Sequence, residues 1–166
     1  MKRTVPIFLV VALMAGCGQK EPTVEEFSVE FNAATAEFER VSTELNSSPL
    51  PPRTGNQQQD RFALAQRLTS DAASYDPIIK KLEALRAPSD PQHLDEIRLV
   101  MLDMVTLIRD DFLSGAAELE QNRPLPSGEA VENELLAYLE RMAQILDEMG
   151  ENGDLIRDSI SEITGM

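Results

Sequence analysis

Residues 23–46, TVEEFSVEFNAATAEFERVSTELN, decide the fold class. Val24, Phe27, Phe31, Ala34, Phe38, Val41 and Leu45 recur at alternating steps of three and four. That spacing lays one apolar stripe along a helix, whereas on a strand it would scatter over both faces. Thr23 and Glu26 form a capping box, in which each side chain takes up a backbone donor that the first turn leaves unpaired. A helix is expected from just after Pro22 to about Asn46.

The same pattern recurs outward from this helix. Residues 47–55, SSPLPPRTG, hold three prolines and cannot be helical, because proline lacks the donor and clashes with the preceding turn. A second stripe follows in Phe62, Ala65, Leu68, Ala72, Tyr75, Ile79, Leu82 and Leu85, with Asn56 and Gln59 as its cap. Pro77 lies inside that stripe and is expected to kink or break it near Asp76. Ala87 to Pro91 ends the second helix and starts a third, with Asp90 as cap and Pro91 at the first helical position. The third stripe is Leu94, Ile97, Met101, Met104, Ile108, Phe112, Ala116 and Leu119, interrupted by Gly115 at a cost of about 1 kcal/mol. Arg123 to Pro126 is the next break. Ser127 is the expected cap of a fourth helix carrying Val131, Leu135, Tyr138, Met142, Ile145 and Met149.

Gly150 to Gly153 punctuates the chain, yet Ile156, Ile160 and Ile163 keep the phase. The tail is read as a short fifth helix capped by Asp154, or else as a bent extension of the fourth. Aromatic residues make up 5% of the chain, with no tryptophan, which also points away from sheets. The expected architecture is all-α, an antiparallel up-down four-helix bundle with a short C-terminal fifth helix or extension.

The N-terminus carries a different signal. Met1-Lys2-Arg3 precedes an apolar run ending in Leu13-Met14-Ala15-Gly16-Cys17, after which the chain turns polar. A basic start, a short apolar core and a small-residue exit form a secretory leader, too short to cross a hydrocarbon layer of roughly 30 Å. The Ala15-Gly16-Cys17 junction resembles the lipobox of bacterial lipoproteins. That resemblance implies cleavage before Cys17, whose thiol then carries diacylglycerol and whose amine often carries a further acyl chain. Two or more chains at about 0.8 kcal/mol per buried CH₂ make a stable anchor. In a Gram-negative envelope it also implies sorting to the outer membrane, since Gly18 and not aspartate follows the cysteine, and in a Gram-positive one an anchor in the outer face of the plasma membrane. Cys17 is the only cysteine, so it cannot close an internal disulfide. The expected organisation is a leader over 1–16, a lipidated N-terminus and tether over 17–22, and a bundle over 23–166.

Without residues 1–16 the chain loses Lys2 and Arg3, leaving 13 basic against 29 acidic residues. A net charge of −16 disfavours nucleic acid and anionic headgroups, and favours basic partners. Covalent haem lacks its Cys-x-x-Cys-His. His93, the only histidine, falls in the first turn of the third helix, where an exposed imidazole is expected in place of a ligand. Di-iron bundles need two Glu-x-x-His motifs, and Asp90 to His93 approaches that spacing once. Met101, Met104, Met142 and Met149 fall on core stripes, where methionine fills gaps. Asp110-Asp111, Glu118-Glu120 and Glu148-Glu151 lack the glycine turn of a calcium loop and are read as solvated faces. No nucleophile motif or phosphate-cradling loop is present.

The sequence thus leads to no enzyme, no cofactor and no metal site. The expected protein is an envelope lipoprotein whose acidic bundle serves a protein partner in the periplasm as an interaction or structural module. Two alternatives stand beside it: a carrier holding a hydrophobic ligand along the methionine seam, and an acidic inhibitor or accessory of a basic enzyme.

Overall fold

The computed structural model describes residues 20–89, 93–126 and 128–150, with Gly153 and Ile156 beyond them. Among the described residues the helices follow in order: α1 (Val24–Ser47), α2 (Gln57–Ala73), α3 (Asp76–Ala84), α4 (His93–Glu120) and α5 (Glu129–Met149). No strand occurs among the described residues.

Local chemistry accounts for most boundaries. The Thr23 Oγ1 accepts from the Glu26 N–H at 3.1 Å and the Glu26 carboxylate accepts from the Thr23 N–H at 2.8 Å, completing the capping box. Asn56 Oδ1 accepts from the N–H groups of Gln58 and Gln59, so Asn56 caps α2. The caps expected at Asp90, Ser127 and Asp154 lie outside the described residues, as do Pro91, Ile160 and Ile163. Gly128 precedes α5 and supplies no side-chain cap.

The second stripe breaks near Asp76, one of the two outcomes expected there: α2 stops at Ala73, and α3 begins at Asp76 with Pro77 in its first turn. A proline there removes an N–H that has no helical partner anyway, so the chain breaks ahead of it instead of kinking through it. Phe62, expected in the core, is 56% exposed, because α2 turns that position away from the other helices. At the other end, Gly150 adopts a φ of +56° and ends α5. Beyond it, Ile156 is fully buried. A Cβ on Gly153 would stand 2.3 Å from the Leu146 carbonyl oxygen, so only glycine fits at this position.

The helices pack as an antiparallel up-down bundle whose second arm is the pair α2–α3. α1 runs against that arm, with Arg67 reaching the Leu45 carbonyl at 3.4 Å, Ser42 beside the Tyr75 hydroxyl at 3.4 Å, and Lys81 paired with Glu37. α4 opposes the same arm, from Arg61 beside Leu119 at one end to Arg98 on the Leu82 carbonyl at 3.0 Å at the other. α5 returns along α4, pairing Arg141 with Glu96. The first connection (48–56) and third connection (121–128) therefore lie at one end, here termed distal. The second connection lies at the opposite, proximal end beside the start of α1, where Glu21 accepts from the Ser89 N–H.

Two separate apolar clusters hold these helices. The larger gathers Phe27, Phe31, Ile78, Leu82, Leu94 and Ile97 with residues of all four arms, and Phe27 stacks on Phe31 at 5.7 Å between ring centroids. Tyr75 continues it upward, 6.0 Å from Phe38 and 6.1 Å from Phe112, and burial pushes its hydroxyl up in pKa. The smaller cluster, Ala65, Ala116 and Leu119, lies between α2 and α4 alone.

Candidate functional site

Of the residues weighed for chemistry, Cys17 lies outside the described residues. His93 is placed at the α4–α5 seam, its Nδ1 3.5 Å from a Glu96 oxygen and 4.0 Å from a Glu148 oxygen. Glu96 is committed to Arg141, whose hydrogen bond holds the Glu96 carboxyl below the usual glutamate range, with His93 adding to the effect. Gln144 links Arg141 to Glu148 through bonds of 3.0 and 2.8 Å. This is a surface network joining two helices. Among the described residues no three histidine, cysteine or acidic side chains gather as a metal ion requires.

Met101, Met104, Met142 and Met149 are between 0 and 8% exposed and belong to the large core, as their spacing implies. Of the acidic pairs, Glu118 meets Arg123 at 2.7 Å and Asp110 meets Arg109 at 2.8 Å, while Glu151 lies outside the described residues.

The distal end is built differently. α4 ends in a Schellman turn: Asn122 takes a φ of +59°, its N–H bonds the Leu119 carbonyl at 3.1 Å, and the Arg123 N–H bonds Glu118 at 2.8 Å. Asparagine tolerates that left-handed conformation better than most residues. Arg61 of α2 then donates to the Leu119 carbonyl at 3.3 Å, the Glu118 carbonyl at 3.4 Å and the Arg123 carbonyl. A cation on the negative end of a helix dipole is favourable, so Arg61 pins the end of α4 to the start of α2.

Arg67 performs the same task one turn and a half later. It pairs with Asp71 at 2.6 Å and reaches the Pro49 carbonyl at 2.9 Å, tying the first connection to α2. Asp60 fixes the middle of that connection by accepting from both the N–H and the hydroxyl of Thr54 at 2.7 Å, which lowers its pKa.

At the distal end two open grooves share Gln57 and Arg61. The larger, of about 790 Å³, runs between the start of α2 and the end of α4 and is lined by Asn56, Gln57, Gln58, Gln59 and Asn122 together with Phe62. The smaller, of about 490 Å³, is walled by Leu50, Pro51, Pro52 and Leu64. Leu50, Phe62 and Leu125 stand 50 to 76% exposed at this end.

Sequence reading assigned Asn56 and Gln59 to a cap and missed the groove. The available signal was the run Asn56-Gln57-Gln58-Gln59, four amides in succession just after the proline-rich connection. Comparison with protein families, curated proteins and solved structures finds nothing that matches this chain.

Proposed function

We propose that this protein is a lipid-anchored envelope lipoprotein, held at the outer membrane through Cys17, whose acidic bundle acts in the periplasm as an interaction or structural module. The observation that carries the reading is the Ala15-Gly16-Cys17 junction behind a leader-like run. No described helix is long and apolar enough to cross a membrane. Five residues separate Cys17 from the capping residue Thr23, a tether of less than roughly 20 Å at about 3.3–3.6 Å per residue.

The polarity of the bundle supports the same reading. α1 starts at the proximal end, next to the tether, and its 24 residues rise about 36 Å towards the distal end. Anionic headgroups repel a chain of this charge, so the bundle projects outward and presents its two distal grooves away from the lipid.

Cys17→Ser is expected to move the protein from membrane to soluble fractions, and intact mass of the wild type to show added acyl chains. Equal partitioning of the two, or an unmodified Cys17 in the membrane fraction, refutes the anchor. Single cysteines at Thr54 and Ser89 on liposome-bound protein test the orientation: pegylation is expected to be faster at Thr54, and faster labelling at Ser89 reverses it.

A further inference from the structure

We infer that the larger distal groove binds a neutral oligosaccharide. This goes beyond the anchored-module reading and stands without it, since it rests on the lining alone. Five of the nine lining residues are amides, in a chain whose net charge is −14. The two charged lining residues, Arg61 and Glu120, cancel. Arg61 is moreover spent on the carbonyls at the end of α4, so no uncommitted cation lines the groove to attract a phosphate or carboxylate.

The amides are available. Asn56 uses its oxygen on the cap and keeps its NH₂ free of that duty, and Gln59 makes only a long 3.4 Å contact with Thr54. Among the described residues the side chains of Gln57, Gln58 and Asn122 have no hydrogen-bond partner. Each carboxamide carries two donors and an acceptor with two lone pairs. Adjacent hydroxyls of a sugar ring, each both donor and acceptor, match that pairing, and acetamido groups match it as well.

Phe62 supplies the second requirement. Its ring lines the groove and is 56% exposed, a flat apolar surface on which the C–H face of a pyranose can lie. Leu119 is the other apolar residue of the lining. A volume of about 790 Å³ falls within the range of small-molecule clefts, roughly 300–1,000 Å³, and the groove is open to solvent. The amides and the ring come from α2 and from the end of α4, so the site exists only where Arg61 joins those helices.

The test is calorimetric titration of the full chain, in a detergent without a sugar headgroup, with chitotetraose and with cellotetraose. Binding is expected to weaken at least tenfold in Phe62→Ala and severalfold in Gln58→Ala, while Leu136→Ala, an exposed change on α5, leaves it unaltered. Phe62 and Gln58 are both exposed, so neither variant is expected to unfold, and an unchanged circular dichroism spectrum checks this. Response to chitotetraose alone supports the inference and shows that the acetamido group is read; response to both supports it and shows that the ring and hydroxyls suffice. Response to neither sugar, or Phe62→Ala binding as tightly as wild type, overturns it.

Discussion

The proximal and distal halves of this bundle are held together by different physics. Proximally, α1, α3, α4 and α5 bury large side chains against one another, with Phe31, Ile78, Leu82, Leu94 and Ile97 fully covered. Distally, α2 and α4 meet through Ala65, Ala116 and Leu119, and a Cβ at Gly115 would stand only 3.2 Å from Leu68. The first half gains from apolar area removed from water. The second relies on close backbone approach between small residues and on Arg61 and Arg67, whose guanidinium groups hold the adjoining connections by hydrogen bonds. Grooves open at both ends, and the widest, of about 790 Å³, lies beside the thinly cored seam of α2 and α4. Segments with few buried apolar contacts open most readily, so amides early in α2 are expected to exchange faster than those of α3.

The largest effect expected from breaking this contrast is proximal. Phe31→Ala should cost about 3–5 kcal/mol in urea unfolding, since the cavity it leaves is enclosed by packed helices. Leu119→Ala should cost about 2 kcal/mol, the low end for a buried leucine, because its cluster can relax towards solvent. Equal costs for the two would erase the distinction between the halves.

Overpacking comes next. Gly115→Val should destabilise by about 1–3 kcal/mol, because the added methyls must displace Leu68 or push α2 from α4. Its amide-exchange changes should stay within the distal half. Spread of those changes to α1 would show that the two clusters unfold as one.

Asn56→Ala removes the α2 cap and should cost about 1 kcal/mol, read as a lower unfolding midpoint with an unchanged slope. The smallest effect expected is Glu96→Gln. The Glu96 carboxyl is depressed by Arg141, so the stability it contributes is present above the ordinary glutamate value and is lost as pH falls through its lowered one. The variant should therefore be weaker than wild type by a few tenths of a kcal/mol at neutral pH, as exposed ion pairs generally are, and equal to it in strong acid. A difference that grows on acidification would contradict this sign.

Much of the architecture was legible along the chain, because helix stripes, caps and proline breaks act within a few residues of themselves. Thr23 and Asn56 cap as their side chains dictate, and the four core methionines lie where their spacing puts them. Gly115 was legible only as a local penalty. In three dimensions it lets α2 and α4 approach, a gain that no helix propensity records. Phe62 fits its stripe by spacing and still faces solvent, because α2 packs at this level on α4 alone and leaves that side uncovered.

The candidate groove was the least legible part. Its two walls lie some sixty positions apart in the chain, and the amide run reads locally as nothing more than a helix start. Local rules along the chain set the helical class, the order of the arms, the break near Asp76 and most of the helix ends, since each follows from periodicity and backbone hydrogen bonding over one or two turns. Beyond the reach of local rules were the outward placement of Phe62 and the meeting of Asn56 to Phe62 with Leu119 to Asn122. Those depend on antiparallel packing that brings distant segments to one end, and on arginines whose partners are carbonyls of another helix.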